Sequence, residues 1–206
     1  MIVQTLALGP VQTNCYLVGA EPSREAVVID PGWDADAILA EARSAGLTIK
    51  AILLTHGHFD HIGAVADLKD ALQAPLMAHA REIDLLDAKG GADLFGFRIR
   101  SVPQPDRLVE HGETIEIGAL KFEVRYVPGH TVGHVAFVEH QHRSAFVGDV
   151  LFAGSVGRTD FPGGDYDTLI ASITDQLLTL PDDFKVYPGH GPPTTIGLER
   201  QTNPFL

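Results

Sequence analysis

His56-Gly57-His58-Phe59-Asp60-His61 places three histidines and one aspartate within six residues, directly after the apolar run Ile52-Leu53-Leu54-Thr55. Burying such a cluster without an ion would leave several polar groups short of partners. Metal binding supplies that partner. The donors are imidazole and carboxylate without thiolate, a set that suits zinc first and also iron or manganese.

Three more groups share this context. His130 follows Val124-Arg125-Tyr126-Val127-Pro128-Gly129, Asp149 follows Ala145-Phe146-Val147-Gly148, and His190 follows Val186-Tyr187-Pro188-Gly189. Each apolar run has strand character and ends in a glycine that lets the chain turn sharply. Four such ends meeting would make a cage for two ions. His56, His58 and His130 suit one ion, and Asp60, His61 and His190 suit the other, with Asp149 between them. Two ions about 3.5–4 Å apart share a water and bring its pKa toward about 7. The sequence shows no Ser/His/Asp or Cys/His nucleophile pattern, so solvent is the expected nucleophile and Asp60 its expected orienting group.

A lone histidine is more often packed or exposed than ligating. His79, His111, His140 and His142 are given that bland reading. His134 is divided between a place behind the metal residues or in the substrate pocket and a plain surface role.

Composition narrows the classes. The chain has 206 residues, 45% hydrophobic and 20% charged, which fits one folded domain over residues 1–206. A formal net charge of -12 disfavours nucleic acid or an anionic membrane as partner. No apolar run is long enough to span a bilayer. Met1-Ile2-Val3-Gln4-Thr5-Leu6 is expected to be a strand rather than a signal peptide. Cys15 is the only cysteine, so no intrachain disulfide forms. A cytoplasmic location is therefore expected.

Short strands are expected at Ile2 to Leu8, Cys15 to Val18, Glu25 to Ile29 and Ala51 to Leu54. Asp34 is the expected N-cap of a helix carrying Ile38, Leu39, Ala42 and Ala45 and closed by Gly46. Ile62, Val65, Ala66, Leu68 and Leu72 predict one helix, ended by Pro75. A second strand-rich stretch comprises Thr114 to Ile117, Leu120 to Val127, Val135 to Glu139 and Ser144 to Val147. A helix with Leu169, Ile170, Ile173 and Leu177 on one face follows, then a last strand, Phe184 to Tyr187. Two halves of this kind predict two packed sheets with helices outside. Residues 81–108 are expected to be an irregular connection near the site.

The pattern H-x-H-x-D-H, then a distant His, an Asp and a final His, resembles the metallo-β-lactamase superfamily over nearly the whole chain. Val28-Ile29-Asp30-Pro31-Gly32 resembles that family's early Asp-Pro-Gly turn, which implies a supporting role for Asp30. The resemblance implies an α/β fold, a four-layer αβ/βα sandwich with metals at one edge between the sheets. Gly9-Pro10-Val11-Gln12-Thr13-Asn14-Cys15-Tyr16-Leu17, Pro128-Gly129-His130-Thr131 and Pro188-Gly189-His190-Gly191 are similar to the glyoxalase II-like branch. Gly157-Arg158-Thr159-Asp160-Phe161 is typical of its short single-domain members and of persulfide dioxygenases. Full-length glyoxalase II enzymes add a C-terminal helical domain. This chain ends sixteen residues after His190 and is expected to lack it.

The implied activity is hydrolysis of a small-molecule thioester, S-lactoylglutathione or a related glutathione thioester, by a metal-bridging hydroxide. The thiolate leaving group, with a free-thiol pKa of about 8.5, needs little acid assistance. Arg158 is a candidate to bind a glutathione carboxylate, or alternatively to pair with Asp160 or Asp165 and brace its loop. The competing readings are a mononuclear iron persulfide dioxygenase using His56, His130 and Asp149, and a lactonase. A β-lactamase is expected to carry an export signal. The nucleases of the superfamily carry a large inserted domain, and flavodiiron proteins have Glu at the position of His58.

Overall fold

A computed structural model describes all residues, Met1–Leu206. Fourteen strands and six α-helices alternate along the chain. In order they are β1 (Ile2–Leu8), β2 (Thr13–Gly19), β3 (Glu25–Ile29), α1 (Ala35–Ser44), β4 (Thr48–Leu53), α2 (Phe59–Ile62), α3 (Val65–Leu72), β5 (Leu76–His79), α4 (Ile83–Asp87), β6 (Arg107–Val109) and β7 (Thr114–Ile117). The second half adds β8 (Leu120–Tyr126), β9 (Val135–Glu139), β10 (Ser144–Gly148), β11 (Leu151–Phe152), β12 (Ser155–Val156), α5 (Tyr166–Ser172), β13 (Lys185–Pro188), β14 (Thr194–Thr195) and α6 (Ile196–Thr202).

Two six-stranded sheets form, ordered β1-β2-β3-β4-β5-β6 and β14-β13-β10-β9-β8-β7. Alternation along β2 shows how they stack. Tyr16 and Val18 join Ile29, Leu53, Phe122, Phe137 and Phe146 in the apolar layer between the sheets. Cys15 and Leu17 face the other way, onto Ile38 of α1 and Leu68 of α3. Beyond the second sheet, Ala136, Val138 and Val147 pack against Leu169, Ile173 and Leu177. Helices, sheet, sheet and helices therefore make the four expected layers. Both sheets are covered on each face, which is why their central strands are nearly continuous apolar runs. No helix is long and apolar enough to cross a membrane.

The expected Ile62-to-Leu72 helix is in fact two, α2 and α3, separated at Gly63 and Ala64. The break falls where the Ala64 N–H leaves the helical pattern to donate to the Pro31 carbonyl at 3.0 Å, a close approach for which Gly63 leaves room, since a Cβ there would lie 2.3 Å from the carbonyl oxygen of Gly32. Residues 81–108 are more ordered than expected. A 3-10 turn (Ala80–Glu82), α4, a kinked 3-10 segment (Lys89–Phe95) and the edge strand β6 occupy most of that stretch. Strands β5 and β6 are too short for alternation to announce them.

Candidate metal centre

Four strand ends deliver polar side chains to one edge of the sandwich. His56 follows β4 of the first sheet. His130, Asp149 and His190 follow β8, β10 and β13 of the second. Helix α2 begins directly after His58 and carries Asp60 and His61. Two glycines permit this crowding. A Cβ on Gly189 would sit 2.0 Å from Asp149 Oδ1, and one on Gly148, whose φ is +50°, would sit 2.3 Å from Thr55 Oγ1.

All seven expected residues come together. His56, His58 and His130 each offer a nitrogen, the three lying within 4.8 Å of one another, and Asp60, His61 and His190 form a second such group. His58 Nδ1 faces His130 Nε2 at 2.9 Å. His190 Nε2 lies 3.2 Å from Asp60 Oδ2. Asp149 touches both groups: its Oδ2 is 3.8 Å from His130 Nε2 and 3.5 Å from His190 Nε2, and its Oδ1 is 3.4 Å from His61 Nε2.

The donors fit divalent cations on a property of this structure. His56 Nε2, His61 Nε2 and Asp149 Oδ1 are buried without a hydrogen-bond partner. His61 Nε2 and Asp149 Oδ1 face each other at 3.4 Å outside hydrogen-bond geometry, and His56 Nε2 has no polar partner, so an ion among them would satisfy all three. His134 Nδ1 is also unpartnered, and nothing in the structure explains it.

The remaining atoms of the same rings are held in place. His61 Nδ1 bonds Asp30 Oδ2 at 3.0 Å. Asp30 also accepts from the Thr55 backbone N–H at 2.8 Å and the Thr55 hydroxyl at 2.6 Å. With that hydroxyl proton committed to Asp30, His56 Nδ1–H donates into Thr55 Oγ1 at 3.1 Å. Each bond fixes a tautomer with Nε2 free for an ion. Asp30 occupies a left-handed backbone conformation, φ 50°, which aspartate tolerates better than most residues. Asp30, His56 and His61 also satisfy the spacing of a ligand group. Its oxygens are already engaged, so Asp30 acts as a brace.

Several supports had only partial sequence signals. Thr13 Oγ1 donates to Asp60 Oδ2 at 2.8 Å. Asn14 Nδ2 donates to the carbonyls of Pro188 and Gly191, and Tyr16 OH to that of Pro188. The motif around Thr13 thus ties the first sheet to the His190 loop. Glu82 escaped the sequence reading altogether. Its buried carboxylate accepts from Gly57 N, Thr131 Oγ1 and Gly133 N, each at 2.7 Å, and so joins the loops of His56 and His130. His134 stacks on His56, with ring centroids 4.6 Å apart, and its Nε2 accepts from Asp149 N.

Charge is unevenly shared. Burial, with the neighbouring His61, His134 and His130 rings, keeps the His56 pKa well below the usual imidazole range. Burial and His130 push His58 down to about 3. For His61 burial is outweighed by Asp60, Asp149 and Asp30, which hold its pKa well above the usual range. His190 is likewise raised to about 9 against burial, by Asp149 and Asp60. Asp60 is pulled down to about 2 against burial by His61, His190 and Thr13. The second group of donors is therefore a proton-holding ion-pair cluster when no cation replaces those protons.

A cavity of about 220 Å³ opens over His58, Asp60, His130, Asp149 and His190, walled by Phe59, Phe95, Phe97 and Phe161. Two larger surface grooves, about 630 and 570 Å³, lie elsewhere and contain neither histidine nor cysteine. The chemistry identifies the smaller one as the site. Arg158 lines its rim, its guanidinium paired with both oxygens of Asp160 at 2.7 Å and stacked 3.8 Å over the Phe161 ring. The expected pairing with Asp160 is therefore present, and the same guanidinium faces the cavity where a substrate carboxylate would have to reach it. The Arg158 backbone carbonyl bonds His130 Nδ1 at 2.7 Å. His79, His111, His140 and His142 lie outside the cluster, each engaged by other groups.

The family model of the metallo-beta-lactamase superfamily matches residues 8–190. Hydroxyacylglutathione hydrolase GloC of Haemophilus influenzae is 40% identical over 209 residues, covering 100% of this chain and 98% of that protein. Among solved structures, BLEG-1 B3 metallo-beta-lactamase superposes with a TM-score of 0.94 at 42% identity, covering 100% of this chain and 99% of that one. TTHA1623 in a di-iron-bound form gives 0.91 at 46% identity, covering 98% and 100%.

Proposed function

The chain belongs to the metallo-β-lactamase superfamily, and we propose that it is a binuclear metallohydrolase cleaving a glutathione-derived thioester such as S-lactoylglutathione. The observation that carries this reading is the convergence of unpartnered His56 Nε2, His61 Nε2 and Asp149 Oδ1 beneath a cavity. In the proposed arrangement His56, His58 and His130 hold one divalent ion, Asp60, His61 and His190 hold the other, and Asp149 lies between. When bound, such a pair supplies a water ionised near neutral pH and a Lewis acid for the acyl oxygen.

The protein's own contribution is positional. Asp30 and Thr55 fix the rings of His61 and His56 in the tautomers that present Nε2. Thr13 holds the Asp60 carboxylate at the cavity floor, where it is suited to bind an ion and to orient the attacking water by accepting a hydrogen bond from it. Phe59, Phe95, Phe97 and Phe161 supply an apolar wall beside the cluster. No residue is required to protonate the departing thiolate, which is stable near neutral pH.

The relative named as a hydroxyacylglutathione hydrolase supports the thioester over other acyl substrates. A β-lactam is a second reading, favoured by the likeness to BLEG-1. Purified, metal-replete protein mixed with S-lactoylglutathione, other glutathione thioesters and a β-lactam distinguishes them. Thiol release is the expected result; β-lactam cleavage without thiol release would reverse the choice.

A further inference from the structure

The entrance to the site divides into two lobes. One, about 220 Å³, is walled by Val11, Phe59, Phe95, Phe97 and Phe161 above the cluster. The other, about 470 Å³, shares Asp149, Arg158 and His190 with it and runs past Ser155 to Gly191. The first lobe is an aromatic box. Phe59 stacks against Phe97 at 5.1 Å and meets Phe95 at 5.3 Å, while Phe95 meets Phe161 at 5.6 Å. Val11 and Phe95 are 43% and 47% exposed, so apolar side chains stand in solvent at the mouth.

Size and polarity assign the lobes. A cavity of about 150 Å³ lined by apolar residues holds a benzene ring, so the aromatic lobe accommodates a phenyl or branched side chain. It is smaller than the roughly 300 Å³ or more that a drug-sized ligand occupies, which leaves a peptide-like thiol to the wider lobe. The polar groups of this lobe are the candidate metal ligands at its floor and Arg158 at its rim, so an acyl group directed away from them meets only phenyl rings, where an aromatic group gains both burial and ring-to-ring contact.

We propose that the lobe formed by Phe59, Phe95, Phe97 and Phe161 is the acyl subsite, and that it selects thioesters of aromatic or bulky apolar acids over S-lactoylglutathione. The inference rests on the thioester reading. In the reaction water supplies the oxygen of the new C–O bond and the C–S bond breaks with its electron pair on sulfur. The products are a carboxylate, a thiol and one proton released to solvent.

The test compares S-phenylacetylglutathione with S-lactoylglutathione for kcat/KM. It also compares binding of two thioethers that cannot be hydrolysed, S-(2-phenylethyl)glutathione and S-methylglutathione, by calorimetry. Trp33, the only tryptophan, meets Phe97 edge-on at 5.8 Å and gives a local fluorescence signal. Both comparisons should favour the aromatic compound by about tenfold or more. Phe97→Ala should lower both ratios, and Phe95→Ala, at a half-exposed position that the fold tolerates more readily, should do the same. Wild-type ratios at or below one, or ratios unmoved in both variants, overturn the assignment even if the lactoyl thioester is cleaved. If no thioester is cleaved but the phenylethyl thioether binds selectively and loses that selectivity in the variants, the subsite stands and the hydrolytic reading falls.

Discussion

Asp30 Oδ2 lies 3.0 Å from His61 Nδ1, and both groups are buried. The pair joins the turn after β3 to the helix that carries Asp60, and it decides which His61 nitrogen faces the site. Supports of this kind typically contribute about 10- to 100-fold in metal affinity. Asp30→Ala should therefore reduce bound metal toward one equivalent, counted by elemental analysis after dialysis. Two equivalents retained at wild-type affinity would show that the His61 ring is held by other means.

Glu82 accepts three hydrogen bonds from two different ligand-bearing loops. Burial raises its pKa, and the three donors aimed at the carboxylate oppose that rise because they favour the ionised, accepting form. Glu82→Gln preserves shape but turns one acceptor into a donor facing N–H or O–H groups. A loss of about 1–3 kcal/mol in denaturant stability of the metal-free protein follows. Unchanged stability would mean that these loops are held by packing alone.

Metal binding should expel protons. His61 is held well above the usual pKa and His190 at about 9. At pH 7 both are protonated in the metal-free protein, while His58, at about 3, is neutral and Asp60, at about 2, is ionised. A cation must displace those protons, so affinity should rise with pH above 7, with the share of the rise that belongs to His190 ending above about 9. Calorimetry in buffers of different ionisation enthalpy should find net proton release at pH 7, from His61, His190 and any water ionised by the bound ions, and the release should fall in a His190→Ala variant. No release would place these histidines outside the coordination set.

Arg158 and Asp160 are both exposed, so solvent screens their ion pair and it adds little to stability. Arg158→Ala should leave the melting temperature nearly unchanged. It should raise KM for a glutathione thioester about tenfold with kcat little affected, the signature of lost substrate binding. Asp160→Ala frees the guanidinium and should leave KM unchanged or lower it. An equal rise in both variants would show that the pair serves only to brace its loop.

The convergence of the seven candidate ligands was legible because ligation demands particular side chains, and strand ends with glycine announce themselves locally. Asp34 likewise caps α1 as its sequence context indicates, accepting from Ala37 N. What stayed hidden depends on contacts distant in sequence. Glu82 lies 25 residues from Gly57 and 51 from Gly133, and nothing in Ala80-Arg81-Glu82 marks it as a brace. The aromatic box draws Phe95 and Phe97 from a stretch whose short turns, including left-handed Gly90, Gly91 and Gly96, lack any period. Helix α6 was missed because it is short; its Thr195 cap is visible only as a bond to Leu198 N. Arg158 shows a further limit: sequence supplied two partners of similar strength, and only geometry displays the pairing with Asp160.

The central claim is that His56, His58, Asp60, His61, His130, Asp149 and His190 together hold two ions. Anomalous diffraction from crystals of the metal-replete protein tests it most directly. Two peaks about 3.5–4 Å apart are expected, one against His56, His58 and His130 and one against Asp60, His61 and His190. A single peak held by His56, His130 and Asp149, with the other residues unligated, would contradict the binuclear account and favour mononuclear oxygen chemistry instead.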